Sequence, residues 1–404
     1  MSSRTTIFVI FLAALLPTFY DLGQKLVLMY NNAPSRFINI DNLKSSELKF
    51  SDTFRSCEDV LLVESKGIAI FSCDPGRETW NTVMGIFIPG TLPNAEIYAY
   101  SYGNADTPDS ESLTRFKIQG YDSSLDFHTL GLAYDEETST LFVTNHRKEG
   151  RSIELFKLDF DTFTASHFRT IQHPLFRSPN SIALLNSHQF LVTNDHHFLM
   201  ENSRFMSTAE TILGLPLATV LHVDISTLLK NPDASAKVDI VARLPFANGI
   251  EIINETTVAV ASTTGTAVYF YNITNPDSTN ATLPTLTYKS KVNFPFWVDN
   301  IQISGDGTLF AAGHPHPPAL DEYALSRHDC NSPEKLEAAD ASLQEYCRNV
   351  KGLSAVSKWT ESGGVELVYF DEKFPTSTTA AFDSKRKIGI ITGLYAKGIL
   401  VWRE

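Results

Sequence analysis

The chain has 404 residues, of which 43% are hydrophobic and 20% are charged, and its formal net charge is −13 at pH 7. A chain of this length and apolar content can bury a large core, and no linker-like segment divides it. Because nucleic-acid-binding proteins present basic surfaces, the acidic balance and the lack of a Lys/Arg cluster exclude nucleic acid as the expected partner.

The N-terminal segment places one basic residue, Arg4, ahead of an apolar run from Ile7 to Leu16. This run is short for a membrane-spanning helix and is not followed by a clear small-x-small cleavage site. We interpret residues 1–30 as a secretory signal peptide or an uncleaved signal-anchor, the latter allowing membrane association. A buried core element is the alternative. Residues 45–404 are expected to form one domain.

Three N-x-S/T sequons agree with a lumenal or extracellular location, because glycans are added in the secretory pathway. They begin at Asn254, Asn272 and Asn280. We therefore expect a glycoprotein that is secreted, or anchored with its domain outside the cytoplasm.

The four cysteines form an even set, which a secretory route would allow to pair as two disulfides. Cys57 and Cys73 bracket a predicted hairpin, whereas Cys330 and Cys347 bracket a polar stretch with a helical pattern. Of the three possible connectivities we favour these two neighbouring pairs. Free buried thiols are the alternative.

One short pattern recurs six times along the rest of the chain. A polar residue stands two positions before an aliphatic one, and a strand-like run follows, as in SPNSIALLNSHQFLVTNDH, FANGIEIINETTVAVAS and VDNIQISGDGTLFAAGH. A sixth copy, near Thr379, lacks a charged opening residue. The other opening residues are Glu58, His128, Asn180, Asn248 and Asp299 with Asn300. Intervals of about 50 to 80 residues predict an all-β fold, a six-bladed β-propeller built from four-stranded blades.

Helical patterns beyond the N-terminus are few. One lies between Cys330 and Cys347, and the other is MENSRFMSTAETILGL, from Met200. Insertions between blades often cover one face of a propeller, so we expect these segments to form part of the wall or lid of a site. Surface loops without a role are the alternative.

The opening residues predict a metal site. If each blade uses its innermost strand in the same way, they converge on the central channel. Their carboxylate and amide oxygens are hard ligands that suit Ca²⁺, whereas zinc sites favour Cys and His. For any single Asn or Asp, a turn or cap that bonds its own backbone is the alternative.

The ordered motifs SPNSI, FANGI, VDNI, HPHP and LFVTNHRKEGRSIELFKLDF resemble those of the paraoxonase/arylesterase family of calcium-dependent lactonases, over residues 55–402. The chain looks like a fungal or lower-eukaryote member. The resemblance implies a six-bladed propeller with one catalytic and one structural calcium in its central channel. It also implies a small-molecule lactone or aryl ester as the substrate.

Site residues follow from the same resemblance. It implies that His128 and His146 act as base and supporting partner, together activating a water molecule, and that His196 and His314 line the substrate site. Taken alone, the first two histidines could equally be satisfied core residues. The implied ligands of the catalytic calcium are Glu58, Asn180, Asn248, Asp299 and Asn300.

The implied site for the structural calcium lacks one of its usual carboxylate ligands. The implied ligands are Asp59, the backbone carbonyl of Leu130 and the residue after Asn180, which is Ser181 where the family commonly has Asp. Losing a carboxylate weakens a site held by charge, so we expect weak or absent binding of this ion. The animal enzymes staple their first and last strands with a disulfide, but no cysteine lies near the C-terminus here. Closure of the propeller is expected from pairing of the end strands, or from the disulfides proposed above.

No G-x-S-x-G elbow, H-E-x-x-H zinc motif or phosphate-binding loop is present in the sequence. Two further functions stay open at this stage. One is a non-catalytic lumenal scaffold whose calcium only stiffens the channel. The other is a propeller enzyme of the gluconolactonase or strictosidine-synthase type.

Overall fold

The computed structural model describes residues 19–104, 107–231, 233–274 and 283–404. Two short strands, β1 (Ile40–Asp41) and β2 (Glu47–Lys49), precede the first blade. That blade has the order β3 (Cys57–Val63), β4 (Ile68–Cys73), β7 (Glu96–Ser101) and β8 (Leu113–Arg115). A 3-10 turn (Pro75–Glu78) and a small hairpin of β5 (Trp80–Asn81) and β6 (Ile86–Phe87) are inserted into it.

The second blade starts from a short edge strand, β9 (Lys117–Gln119), and continues with β10 (Thr129–Asp135), β11 (Thr140–Arg147), β12 (Gly150–Asp159) and β13 (Thr164–Ile171). The third contains β14 (Pro179–Asn186), β15 (Gln189–Asn194), β16 (Ala218–Asp224) and β17 (Lys237–Leu244). The fourth contains β18 (Ala247–Asn254), β19 (Thr257–Ser262), β20 (Ala267–Thr274) and β21 (Thr285–Asn293).

The fifth blade contains β22 (Trp297–Ile303), β23 (Leu309–His314), β24 (Ser354–Thr360) and β25 (Gly364–Asp371), and the sixth contains β26 (Ser377–Asp383), β27 (Ile388–Gly393) and β28 (Ile399–Arg403). The first strand of each blade contacts the first strand of both neighbouring blades, which closes a ring. The predicted six-bladed β-propeller is confirmed.

Closure of the ring is achieved by the end strands. Strand β2 pairs antiparallel with β28, the last strand of the chain, and so completes the sixth blade. Strand β1 extends the fifth blade by pairing with β25. The end-strand pairing that the sequence led us to expect is therefore confirmed.

Neighbouring blades pack through apolar side chains on their facing sheets. Phe142 and Phe190 join the second and third blades with ring centroids 5.2 Å apart, and Phe310 and Phe382 join the fifth and sixth at 5.4 Å. All four side chains are buried. Because most strands carry apolar residues on both sheet faces, the core is a series of layers between blades, each stabilised by burial and edge or tilted ring contacts.

Helices form outside the sheets. Residues 19–31 are helical (α1), followed by α2 (Asp109–Ser112), α3 (Arg204–Leu213), α4 (Ser226–Lys230), α5 (Pro317–Cys330), α6 (Pro333–Ala338) and α7 (Ala341–Asn349). The two predicted helical segments are confirmed by α3 and by α6 with α7. Helix α5 was not predicted. It begins with two prolines after His316, whose ring Nδ1 accepts the Ala319 N–H as an N-cap.

The N-terminal prediction is covered only in part, because its apolar run from Ile7 to Leu16 lies outside the described residues. In the part of the chain that the structure describes, no helix combines the length and apolarity needed to cross a membrane. Both predicted disulfides are present, Cys57–Cys73 between paired residues of β3 and β4, and Cys330–Cys347 between α5 and α7.

The sequons are only partly described. Asn254, at the end of β18, and Asn272, on β20, are exposed, while Asn280 lies outside the described residues. Glycosylation stays a prediction.

Candidate functional site

All six innermost strands contain a register shift, which spans the predicted opening position in five of them and follows His128 in β10. A bulge of this kind redirects side chains, whereas a regular strand sends successive residues to opposite faces. Consecutive residues such as Asp299 and Asn300 can therefore both serve the channel. The shifts fall between Cys57 and Asp59, Thr129 and Leu132, Pro179 and Ile182, Ala247 and Ile250, Val298 and Ile301, and Ser377 and Ala380.

A cavity of about 550 Å³, which we call the main cavity, brings most of the predicted residues together. Glu58, Asn180, Asn248 and Asp299 line it, each from a different blade, and His196 and His314 line it as well. The rest of the wall is largely apolar. Helix α1 contributes Leu22, Leu26 and Met29, α3 contributes Ile212 and α5 contributes Leu320. The loops contribute Met84, Phe246 and Leu394, and the start of β22 contributes Trp297.

A second cavity of about 230 Å³, the inner cavity, is formed by the innermost strands themselves. Its polar lining residues include Asp59, Ser181, Glu251 and Asn300, set among aliphatic side chains of β3, β10, β14, β18 and β22. The bulge in β22 thus assigns Asp299 to the main cavity and Asn300 to the inner one.

Four of the predicted calcium ligands carry a buried side-chain oxygen with no hydrogen-bond partner among the described residues. A buried acceptor left unpaired costs about 1–3 kcal/mol, so four such atoms in one channel are unusual for a site that only supports the fold. Carboxylate and amide oxygens of this kind are the ligands of Ca²⁺. The atoms are Glu58 Oε2, Asn180 Oδ1, Asn248 Oδ1 and Asn300 Oδ1.

The amide groups of these residues are held in place by their nitrogens. Asn300 Nδ2 donates to Glu58 Oε1 at 2.8 Å, and Asn248 Nδ2 donates to Thr263 Oγ1 at 3.0 Å. Asn180 Nδ2 donates to Asp195 Oδ2 over a longer distance, 3.4 Å. Each amide therefore keeps its oxygen free.

Several carboxylates lie close together in the buried channel. Burial raises the pKa of Glu58 well above its ordinary value, and the nearby carboxylates of Asp299 and Asp59 raise it further, against the opposing charge of Arg77. Burial likewise raises the pKa of Asp59, to about 6. Carboxylates that repel one another in a buried channel are stabilised by a bound cation.

His314 is the histidine best placed for chemistry in the main cavity. Its Nε2 lies 2.9 Å from Asp299 Oδ2, and its buried Nδ1 has no hydrogen-bond partner among the described residues. An imidazole that donates from one nitrogen to a carboxylate presents the other as a proton acceptor.

The predicted pair His128 and His146 lies beside this cavity but is not part of its lining. His128 Nδ1 is 3.2 Å from both oxygens of Asp74, and its buried Nε2 is unpartnered within the described structure. Both nitrogens of His146 are occupied, by Thr82 Oγ1 at 2.6 Å and by the Pro179 carbonyl at 2.7 Å. A main-chain hydrogen bond joins the two residues, in which the His146 N–H donates to the His128 carbonyl at 2.8 Å.

The environment of His146 favours its neutral form. Burial lowers the pKa of His146 to about 4, and the positive charge of Arg151 acts in the same direction. With both nitrogens bonded and the ring uncharged at neutral pH, His146 is a satisfied core histidine in this structure.

His196 lines the main cavity between two partners. Its Nδ1 lies 2.8 Å from Asp195 Oδ1, and its Nε2 lies 2.8 Å from Thr211 Oγ1 on α3. Burial acts to raise the pKa of Asp195, but hydrogen bonds from His196 and Ser178 hold this pKa below its ordinary value. Sequence reasoning missed Asp195, although it stands directly before the histidine pair in TNDHH.

The candidate metal site combines carboxylate and amide oxygens. Within the described ranges, no group of three or more His, Cys, Asp or Glu residues is arranged to hold a metal ion. The candidate site therefore depends on amide oxygens, which suit a hard cation such as Ca²⁺ better than a transition metal.

Comparison with known proteins identifies the family. A family model described as Arylesterase matches residues 101–341, more than half of the 404-residue chain. The chain belongs to the arylesterase family.

Curated relatives match over part of their length. Serum paraoxonase/arylesterase 1 of Mus musculus is 31% identical over 198 residues, covering 48% of this chain and 50% of that protein. Serum paraoxonase/lactonase 3 of Rattus norvegicus is 28% identical over 209 residues, covering 50% of this chain and 53% of that protein. The chain spans about half the length of the curated relatives it matches. These relatives are mammalian, and a fungal or lower-eukaryote source stays a prediction.

Solved propellers resemble the arylesterase-family chain more distantly. A gluconolactonase from Xanthomonas campestris aligns with a TM-score of 0.47 at 13% identity, over 90% of this chain and 87% of that one. Luciferin-regenerating enzyme aligns with a TM-score of 0.47 at 12% identity, over 91% and 95%. The count of six blades rests on the sheets of this chain and not on these alignments.

The residues predicted for a structural calcium are differently engaged in this arylesterase-family protein. Asp59 Oδ2 accepts the Leu132 N–H at 2.9 Å, and its Oδ1 accepts the Val60 N–H at 2.8 Å. Ser181 Oγ accepts the Ile250 N–H at 3.4 Å. Leu130 lines the main cavity rather than the inner one.

The sixth blade replaces a charged opening residue with hydroxyls. Thr378 Oγ1 and Thr392 Oγ1 both donate to the Glu58 carbonyl, at 2.5 and 3.0 Å. Thr379 Oγ1 lies 3.2 Å from Asp59 Oδ1. These threonines fix the backbone that carries the two channel carboxylates, a role that the sequence pattern did not indicate.

Proposed function

We propose that this protein is a calcium-dependent hydrolase of lactones and aryl esters. The observation that carries the proposal is the convergence of three buried oxygens without hydrogen-bond partners among the described residues, from Glu58, Asn180 and Asn248, on the main cavity, where Asp299 adds a second carboxylate. Membership of the arylesterase family and the names of the relatives, which include an arylesterase and a lactonase, support the reaction class.

The residues present fit a calcium ion. Glu58, Asn180 and Asn248 would hold it through the oxygens described above, with Asp299 as the second carboxylate. Asn300, which the resemblance also implied for this ion, lines the inner cavity instead. When bound, Ca²⁺ supplies a Lewis acid for the carbonyl oxygen of an ester or lactone. The chain's own contribution is to keep these oxygens aligned and to shield the site from bulk water.

The proton acceptor has two candidates. The resemblance implies that His128 is the base and His146 its supporting partner. The Nε2 atom of His128 has no hydrogen-bond partner among the described residues. The geometry favours His314, because it lines the cavity, has a free Nδ1 and is oriented by Asp299. A neutral imidazole so placed can take a proton from water as it attacks the carbonyl carbon. His128 and His146 then act as positioning residues behind the bulges of β10 and β14.

The cavity wall favours an apolar substrate. Leu22, Met29, Phe246 and Trp297 surround the polar end with apolar surface, which suits the aryl or alkyl part of an ester or an aliphatic lactone. Sugar lactones, which need several hydroxyl partners, fit this lining less well.

The protein is further proposed to work in the secretory pathway. Two disulfides among the described residues are typical of an oxidising compartment. We propose a small-molecule substrate as the partner.

The test is hydrolysis of aryl esters and lactones by the purified chain with and without a calcium chelator, repeated on Asn248→Ala and Asp299→Ala. Activity should be lost on chelation, return with Ca²⁺ and fall at least 100-fold in both variants. Asn254→Ala, at the exposed end of the same strand β18, is the matched control and should retain activity.

Two results would contradict the proposal. A folded protein that binds calcium but hydrolyses no ester or lactone would favour the non-catalytic scaffold. Turnover confined to sugar lactones would favour the gluconolactonase-type alternative.

A further inference from the structure

The inner cavity contains a carboxylate that the main cavity does not use. Glu251 lies on β18, three positions after Asn248, and the bulge between Ala247 and Ile250 precedes it. Its side chain lines the inner cavity together with Asp59. The charged group that acts most strongly on Glu251 is the Asp59 carboxylate. Two like charges therefore face one small space.

The neighbours of this pair are also oxygen donors. Ser181 lies on the adjacent strand β14. Its Oγ accepts the N–H of Ile250, the residue before Glu251, at 3.4 Å. Asn300, on β22, is only 3% exposed, lines the same cavity and carries an Oδ1 with no partner among the described residues. Asp59, Ser181, Glu251 and Asn300 thus reach the inner cavity from four different blades.

We propose that Glu251 supplies the carboxylate that a second Ca²⁺ needs at the inner cavity, in place of the serine at position 181. Asp59 and Glu251 together carry the two negative charges that neutralise a divalent ion, and Ser181 and Asn300 add neutral oxygens. Calcium accepts such a mixture, because its coordination is flexible and made of oxygens alone. The weakened second site expected from Ser181 is thereby restored from the next blade.

The inference does not depend on hydrolysis. It shares with the proposed function only the identity of the cation, and it concerns Glu251, which does not line the main cavity. The other physical arrangement for two facing carboxyls is a shared proton. Calcium titration separates the two.

The first experiment is isothermal titration of the metal-stripped full chain with CaCl₂. The wild-type protein should bind two ions and Glu251→Gln one. Glu255→Gln, an exposed glutamate in the turn that follows the same strand, removes an equal charge outside the cavity and should still bind two. Adding Ser181→Asp to Glu251→Gln should return the second ion, because it places a carboxylate at the same cavity.

Thermal stability gives a readout that a merely structural role would not reproduce. In metal-stripped protein at pH 8, Glu251→Gln should melt at a higher temperature than wild type, since one of two repelling carboxylates is gone. In excess Ca²⁺ the order should reverse, because the variant gains stabilisation from one ion only. A residue needed only for packing would lower the melting temperature in both conditions.

The inference is overturned if wild type binds a single ion, or if Glu251→Gln still binds two. A single ion that is lost in Asn248→Ala would overturn it and leave the proposed function intact. Two bound ions without any ester or lactone hydrolysis would support the inference and contradict the proposed function.

Discussion

His314 Nε2 lies 2.9 Å from Asp299 Oδ2, across the first two strands of the fifth blade. Asp299 is a candidate calcium ligand, so one carboxylate connects the metal site to the histidine that faces the substrate cavity. A carboxylate in this position holds the ring with its proton on Nε2 and stabilises the imidazolium that forms when Nδ1 takes a proton.

Replacing the histidine tests this assignment. His314→Asn should lower kcat for ester or lactone hydrolysis by about 100- to 10,000-fold, the usual contribution of general base catalysis, with calcium affinity changed far less. Steady-state kinetics and calcium titration measure the two effects. His188→Asn, in the turn between β14 and β15, should behave as wild type. If His128→Asn removes activity and His314→Asn does not, the base is the residue that the sequence indicated.

The close approach of the fourth and fifth blades makes Gly249 a second test position. A β-carbon at Gly249 would lie 2.6 Å from the Asn300 Cα and 2.8 Å from the Ile301 nitrogen. Gly249→Ala must push the two inner strands apart, which should cost about 1–3 kcal/mol of unfolding free energy and weaken calcium binding, because Asn248 and Asp299 separate.

Chemical denaturation and calcium titration check this result. Gly23→Ala in α1 is the control, since a β-carbon there meets no atom within 4 Å. Alanine is the better helix former, so this change should stabilise the protein slightly or leave it unchanged. Equal losses in both variants would argue against a specific contact between the blades.

The attachment of α1 gives a third prediction. Asn32 follows this helix, and its Nδ2 donates to the carbonyls of Pro295 and Pro315, at 2.9 and 3.0 Å. Because α1 forms part of the cavity wall, Asn32→Ala should loosen that wall and raise KM several-fold, with each lost bond contributing about 1 kcal/mol. Calcium affinity should stay the same.

Enzyme kinetics across substrates of increasing size measure this effect. Asn42→Ala is the control, because Asn42 donates to the Leu367 carbonyl at 3.3 Å on an exposed edge away from the cavity. An unchanged KM in Asn32→Ala would mean that α1 is held by its other contacts.

The pH dependence of stability forms the fourth prediction. Burial raises the pKa of Glu251 to about 8, and the Asp59 carboxylate adds to that rise. The pKa of Asp59 is itself about 6. In the metal-stripped protein the folded state then binds more protons than the unfolded state between about pH 4 and pH 8. Stability contributed by these protons is complete at the lower end and is lost as the pH rises through 8.

Melting temperatures of metal-stripped protein at pH 5, 6.5 and 8 test the sign. They should fall across this series in wild type, and the fall should be smaller in Glu251→Gln. Saturating Ca²⁺ should flatten the wild-type profile, because the ion replaces the protons. A melting temperature that rises with pH in the metal-stripped protein would show that other groups dominate.

Local sequence patterns predicted the blade count and the positions of the opening residues, and they favoured the disulfide pairs that the structure contains. The patterns are runs of strand-forming residues, a polar residue at a fixed place in each repeat, and cysteines separated by a short hairpin or helical segment. Glu58, Asn180, Asn248 and Asp299 could be placed together because the repeat sets them in equivalent positions.

The sequence did not show which side-chain atoms face which cavity, because this depends on contacts between strands. The bulges that send Asp299 to the main cavity and Asn300 and Glu251 toward the inner one depend on pairing between strands, and single-strand alternation does not reveal them. The same holds for the contact of His314 with Asp299, the burial of both nitrogens of His146, and α1 against the cavity. These are contacts between distant parts of the chain, and their geometry arises only when the six blades close into a ring.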